Sequence, residues 1–189
     1  RIIAFENSFH GRTLGALSAT GQAKYRQGFG PLSPVTHVPY GDLEAVRRVM
    51  GDDVAAVIVE PVQGEGGVMP APAGFLAGLR QICDDAGVLL LADEVQTGVG
   101  RTGKFLAFEH AGVVPDGVAL AKALGGGVPI GAMLCRGFLE KTLPPGSHGS
   151  TFGGNPLASA GALAVLDVLQ EESLMEKAHE MGSYLATRL

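Results

Sequence analysis

Lys122 directly follows the apolar run 118–121, and Asp93 directly follows another apolar run, residues 88–92. Short apolar runs bounded by glycine or polar residues are typical of strands that are buried on both faces of a parallel sheet. Ligands of open α/β sheets bind just beyond the carboxyl ends of such strands. An amine and a carboxylate at two strand ends could therefore face one ligand.

This pair of residue types suits pyridoxal phosphate. The lysine amine can bind such a cofactor covalently, and the carboxylate can keep its pyridine nitrogen protonated. A third carboxylate, Glu60, directly follows the apolar run 54–59. The alternative is a structural ion pair between Lys122 and Asp93. Because the strand order cannot be read from the sequence, spacing alone leaves both interpretations open.

The composition excludes several classes of function. The 189 residues are 46% hydrophobic, which is enough for a substantial core. A net charge of −5 without a basic run disfavours nucleic-acid binding. No apolar stretch approaches the roughly 18 residues of a membrane span. The two cysteines and five histidines form no metal-ligand pattern, so we expect a soluble, cytoplasmic protein without a metal site.

Strand and helix patterns alternate along the first two thirds of the chain. Strands are predicted at 2–5, 35–40, 54–59, 88–92 and 118–121, with helices at 42–50 and 74–86. This order predicts right-handed βαβ units and a mostly parallel sheet. A further strand, 130–135, follows Lys122 after a short connection, which suits an antiparallel neighbour. The predicted fold class is therefore α/β with a mixed sheet.

The last third is predicted to be helical. Asn155 can cap a helix that has Pro156 at its first position, and a second helix begins near Ser173 and continues to residue 189. The break at 171–173 is the best candidate for a domain boundary. A chain that starts on a strand and ends inside an amphipathic helix leads us to expect a longer protein at both ends.

Residues 98–104 match two nucleotide-binding sequence patterns in whole or in part. Gly98 to Gly103 fits G-x-G-x-x-G, but residues 94–97 separate these glycines from the preceding strand. The phosphate-loop motif fails at its end, where Phe105 replaces the required serine or threonine. We expect the glycines to allow a tight turn beside a ligand. Nucleotide binding remains a second interpretation, and an inactive subunit core remains a third.

Two loop regions carry side chains that such a ligand would need. Phe9 could stack on a flat heterocycle, or it could be an ordinary core residue. Arg12 could bind a substrate carboxylate, or it could be a solvated surface residue. Ser150 and Thr151 lie in a glycine-rich segment that could bind phosphate, or that could be a plain turn.

Three segments closely resemble the class III pyridoxal-phosphate aminotransferases. Residues 60–67 read EPVQGEGG, residues 91–98 read LADEVQTG, and residues 121–127 read AKALGGG. Residues 9–13 and 126–133 look most like the acetylornithine branch of that class. The resemblance covers essentially the whole chain and implies a fold-type I transferase with helices on both faces of the sheet.

The resemblance also implies a domain organisation and an assembly. Residues 1–170 would form a large cofactor-binding domain that lacks its N-terminal part, and residues 171–189 would begin a small C-terminal domain. The enzyme would be a homodimer with a shared active site.

Carried over position by position, the resemblance implies a pyridoxal phosphate site. Lys122 would bind the cofactor covalently, and Asp93 would hold its ring nitrogen. Gln96 would bond its phenolic oxygen. Val95 and Phe9 would sandwich the ring.

The remaining roles that the resemblance implies concern phosphate and substrates. Thr151 would reach the phosphate of the neighbouring subunit's cofactor, while Arg12 and Ser150 would contact the substrate. Glu65 would pair with a second substrate-binding arginine that is not in this sequence. The implied reaction moves the terminal amine of N-acetylornithine to 2-oxoglutarate in arginine biosynthesis, with ornithine, succinylornithine, succinyldiaminopimelate or 4-aminobutyrate as alternative donors.

Overall fold

A computed structural model describes residues 1–189, which form two compact units. Unit 1 comprises Arg1–Asp93 and Ala111–Asp116, and unit 2 comprises Glu94–His110 and Gly117–Leu189. Asp93 and Lys122 therefore belong to different units. The large and small domains expected from the sequence, with a boundary at residue 170, remain a prediction.

Unit 1 is built on parallel strands with helices in the connections. Its strands are β1 Ile2–Phe5, β2 Val35–Val38, β3 Ala56–Val59, β4 Val62–Gln63, β5 Met69–Pro70 and β6 Leu89–Asp93. Its helices are α1 Leu14–Ala19, α2 Ala23–Arg26, α3 Leu43–Val49 and α4 Phe75–Ala86. The parallel strands lie in the order β2-β1-β3-β6, and β4 pairs with β5 in a short antiparallel hairpin.

The core of unit 1 lies between the sheet and two helices. Side chains of β1, β3 and β6 pack with those of α3 and α4 in one buried cluster. Phe5 of β1 meets Phe75 of α4 edge to face, with 5.4 Å between ring centroids. Helix α1 contacts β1 and β2, but its buried Leu17 lies outside that cluster. Helices thus cover both faces of the sheet.

The ends of α3 and α4 follow from local sequence. Asp42 caps α3, since its Oδ1 accepts a hydrogen bond from the amide of Ala45 at 2.8 Å. Gly87 ends α4 in the left-handed conformation, with φ 65°, which glycine adopts without a steric penalty. The helical period that starts at Phe75 predicts that Ala86 faces the core, but Ala86 is exposed in the last turn of α4.

Five of the six strand predictions need small corrections at their ends. The strands predicted at 54–59, 118–121 and 130–135 cover 56–59, 117–120 and 132–135. The strand predicted at 35–40 ends at Val38, because Pro39 has no amide hydrogen to continue the ladder. The strand predicted at 88–92 covers 89–93, so Asp93 is its last residue. The predicted order of strands and helices is confirmed.

Unit 2 contains an antiparallel strand pair and two long helices. Strand β7, Gly117–Leu120, pairs with β8, Ala132–Cys135, and Leu120 lies opposite Ala132. The antiparallel pairing expected from the short connection is confirmed. With the parallel strands of unit 1, this pair gives the chain a mostly parallel, mixed α/β architecture.

The helices of unit 2 are α5, Pro156–Glu171, and α6, Leu174–Ala186. The prediction that α6 continues to residue 189 is wrong. Thr187 is its C-cap residue, and the Thr187 hydroxyl donates to the carbonyl of Tyr184 at 2.7 Å. Such side-chain bonds to the backbone compete with continued helix.

Replacing Asn155 by alanine should destabilise the protein by about 1 kcal/mol, the usual effect of losing an N-cap. Asn155 Oδ1 accepts from the amide of Ala158 at 3.0 Å, and alanine offers no acceptor. Denaturant unfolding measures the loss. Asn155→Asp keeps an acceptor and should lose less, so equal losses in the two variants would contradict this role.

Candidate functional site

Asp93 is buried at the carboxyl end of β6 against a histidine. Its Oδ2 lies 2.8 Å from Nδ1 of His10, whose side chain is only 1% exposed. With a proton on Nδ1, His10 donates to this carboxylate and fixes its orientation. Nε2 of His10 is buried and has no hydrogen-bond partner. The pair is therefore an enclosed polar contact rather than a solvated surface ion pair.

Glu60 is buried just beyond the end of β3 and holds the same loop. Its Oε2 accepts a hydrogen bond from the amide of Phe9 at 3.0 Å. The hydroxyl of Tyr40 donates to the backbone carbonyl of Glu60 at 2.8 Å. Burial raises the pKa of Glu60, and the bond from Phe9 opposes that effect. The loop after β1 is thus fixed by carboxylates from two other strand ends.

The stability of the protein should depend on the ionisation of Glu60. Because burial raises its pKa above the ordinary value of 4.5, Glu60 contributes stability that is complete below that pH and is lost as pH rises through the raised pKa. Glu60→Gln cannot ionise and keeps an acceptor for Phe9. Its thermal unfolding midpoint should therefore rise relative to wild type between about pH 4 and pH 7. A constant difference across that range would contradict the raised pKa.

Phe9 and Arg12 share a neighbour in unit 1. The ring of Phe9 meets Tyr25 edge to face at 5.3 Å, and the Arg12 guanidinium lies 5.0 Å from the centroid of the same ring. Phe9 is half-buried and Arg12 is exposed. Phe9 is therefore not an ordinary core residue.

Glu65 is exposed in the loop between β4 and β5.

Lys122 has an unusual backbone conformation in unit 2. Its φ is 46°, and it begins a short 3₁₀ turn, Lys122–Gly125, directly after β7 and Ala121. Left-handed conformations of non-glycine residues are strained and concentrate at functional sites. The exposed Lys122 amine donates to Oε1 of Gln96 at 3.4 Å.

An open cavity of about 660 Å³ lies beside Lys122 within unit 2. Segment 127–131 and residues 152–153 line it together with the lysine. Ser150 and Thr151 are exposed next to this lining, and Ser150 Oγ accepts from the amide of Gly153 at 2.9 Å. An amine at the wall of such a cavity can react with a carbonyl compound that enters it.

Val95 and Gln96 lie in a turn that follows Glu94. Val95 is half-buried and Gln96 is exposed. The turn is closed by a hydrogen bond from the amide of Gly98 to the carbonyl of Glu94, at 2.9 Å. Two of the residues predicted to bind the cofactor, Gln96 and Lys122, are in direct contact within unit 2.

The glycines at 98–103 have a packing role. No helix begins at them, because the first helical turn after them is the 3₁₀ segment Ala107–Ala111. A Cβ atom on Gly100 would lie 2.9 Å from Leu169, and one on Gly103 would lie 3.0 Å from His179. These glycines allow close approach to α5 and α6, and the helix that a dinucleotide fold requires is absent.

Two further features concern metals and membranes. The chain brings no three histidine, cysteine, aspartate or glutamate residues together in a way that could hold a metal ion. None of its helices has the length and apolarity needed to span a bilayer.

Sequence reasoning missed two buried polar residues, His10 and Glu94. His10 lies between Phe9 and Arg12, which were both predicted site residues. No sequence pattern pairs it with Asp93, which is 83 positions away. Glu94 directly follows Asp93 and is 1% exposed. The sequence signal for its burial is a carboxylate within a segment that is otherwise apolar and rich in glycine.

Comparisons with known proteins agree with the fold. The family model "Aminotransferase class-III" matches residues 1–189. Acetylornithine aminotransferase of Myxococcus xanthus is 60% identical over 99% of this chain and 47% of that protein. The corresponding enzyme of Methanopyrus kandleri is 57% identical over 100% of this chain and 49% of that protein.

A solved structure is similar over nearly the whole chain. The ornithine aminotransferase of Toxoplasma gondii has a TM-score of 0.92 and 42% sequence identity, and the match covers 97% of this chain and 44% of that chain. The chain thus spans about half the length of the proteins it matches.

Proposed function

Because the chain belongs to the class III aminotransferases, we propose that the complete protein transfers the terminal amine of N-acetylornithine to 2-oxoglutarate. The products would be N-acetylglutamate semialdehyde and glutamate, and the reaction would serve arginine biosynthesis in the cytoplasm. The observation that carries this proposal is Lys122, an exposed amine on strained backbone at the wall of a cavity.

The residues present suit pyridoxal phosphate, the cofactor of this class. An accessible lysine supplies the covalent attachment, and a buried carboxylate, Asp93, supplies the partner for a protonated ring nitrogen. When bound, the cofactor carries the amine and withdraws electrons from the reacting carbon. Phe9 and Val95 would hold the ring between them, and Gln96 would bond its phenolic oxygen.

The proton transfers would be carried out by Lys122. The Lys122 amine would remove a proton from the substrate carbon that bears the amine, and would return one later. Asp93 would hold the proton on the ring nitrogen throughout, and His10 would keep the Asp93 carboxylate in position. Gln96 would orient Lys122 through the contact at 3.4 Å.

Substrate and subunit contacts complete the proposal. Arg12 and Ser150 would bind the substrates, and Glu65 would pair with an arginine outside this chain. Thr151 would bind the phosphate of the cofactor in a second subunit, which makes the functional unit a homodimer.

The choice of amino donor rests on the relatives. The two acetylornithine aminotransferases above are 57–60% identical to this chain, and the ornithine aminotransferase is 42% identical. The test compares kcat/KM for N-acetylornithine, ornithine, succinylornithine and 4-aminobutyrate with 2-oxoglutarate as acceptor. N-acetylornithine should have the highest value, and a higher value for any other donor would assign the protein to another branch.

A further inference from the structure

We propose that Glu94 is a positioning residue that holds Gln96 in place and thereby sets the protonation behaviour of the cofactor bound to Lys122. This inference rests on the proposed function. It concerns a residue that would touch neither cofactor nor substrate.

The Glu94 carboxylate is buried and receives hydrogen bonds from two separate segments. Its Oε2 accepts from the Thr97 hydroxyl at 2.5 Å and from the amide of Ala107 at 3.0 Å, and its Oε1 accepts from the amide of Phe108 at 2.9 Å. Only 1% of Glu94 is exposed. Hydrogen bonds to an ionised acceptor are stronger than those between neutral groups, so this carboxylate fixes both segments firmly.

The backbone of the same turn is tied to β7. The amide of Glu94 donates to the carbonyl of Ala119 at 3.0 Å, and the amide of Gly98 donates to the carbonyl of Glu94. A Cβ atom on Gly98 would lie 2.7 Å from Leu120, so the turn packs closely on the strand. Lys122 follows that strand after one residue, Ala121. The turn that carries Gln96 and the segment that begins at Lys122 are therefore both attached to β7.

The position of Gln96 depends on these contacts because it lies between Glu94 and Gly98, which both pack on β7. It is exposed, and its Oε1 meets the Lys122 amine at 3.4 Å, near the long limit for a hydrogen bond. A small shift of the turn would break or strengthen that contact. Glu94 and Thr97 flank residues 95 and 96, so their hydrogen bond sets where Gln96 points.

A carboxylate is needed at this position because the amides of Ala107 and Phe108 bond to different oxygens. The Gln side chain has one oxygen, so Glu94→Gln would place an NH₂ group against one of these backbone donors in either orientation. The variant keeps the size of the side chain and disturbs the turn. Thr97→Val is a milder change, since it removes only the hydroxyl donor.

The test is a pH titration of the visible absorption band of the cofactor in the complete holoenzyme. The midpoint should shift by about half to one pH unit in Glu94→Gln, as expected for weakening one typical hydrogen bond. Thr97→Val should shift it in the same direction, which keeps the test decisive if Glu94→Gln folds poorly.

The matched control is Asp116→Asn in unit 1. Asp116 is also buried, and its Oδ2 accepts from the amide of Leu90 and from Arg80, both at 2.8 Å. This control should lose stability and keep the wild-type midpoint. Wild-type midpoints in Glu94→Gln and Thr97→Val would overturn the inference and leave Glu94 a structural residue. A wild-type protein without a visible band would instead overturn the proposed function.

Discussion

The Lys122→Ala variant is expected to lose the visible absorption of the bound cofactor and at least about 10³-fold in kcat, because it lacks both the covalent attachment and the amine that moves the proton. No other lysine lines the cavity beside Lys122. Absorption spectra and steady-state kinetics with N-acetylornithine measure the two losses.

The control for this prediction is Lys141→Ala. Lys141 is exposed in a separate 3₁₀ segment, so its loss should leave both the spectrum and kcat unchanged.

A second variant, Lys122→Gly, tests the backbone strain at this position. It should be as inactive as the alanine variant but more stable, since glycine adopts a φ of 46° without a Cβ clash. A Lys122→Ala protein that keeps its band would refute the assignment.

Asp93→Asn should keep the cofactor attached and lower kcat at least about 10²-fold, the typical effect of removing one electrostatic contact to a transition state. The amide has the shape of the carboxylate and can still accept from His10 Nδ1. It carries no charge, so it cannot hold a proton on the ring nitrogen. The variant should therefore remain yellow and turn over slowly.

The comparison variant is again Asp116→Asn, which removes a buried carboxylate of unit 1 outside the proposed site. It should lose stability and keep most of its kcat. Asp93→Asn with a kcat within about tenfold of wild type, a change of roughly 1.4 kcal/mol, would show that Asp93 has no role in the chemistry and would favour a structural contact with His10.

Much of the fold could be predicted because its causes are local. Apolar runs marked β3, β6 and β7, and Gly87 ended α4 where its left-handed conformation requires glycine. The short connection after β7 correctly indicated an antiparallel partner. Pro39 limited β2 as its missing amide hydrogen requires.

The polar contacts of the site could not be predicted in the same way. His10 and Asp93 are 83 positions apart and meet only because β1 and β6 end on the same side of a parallel sheet. The burial of Glu94 depends on backbone amides of residues 107–108, which no periodic pattern marks. The strained conformation of Lys122 is likewise a property of the folded chain.

Reduction of the holoenzyme with a hydride donor, followed by peptide mass mapping, tests the central claim most directly. Hydride converts the bond between cofactor and lysine into a stable amine, so the modified residue can be identified. The account predicts one phosphopyridoxyl group on the peptide that contains Lys122. Modification of another lysine, such as Lys24, Lys104, Lys141 or Lys177, with none on Lys122 would contradict it.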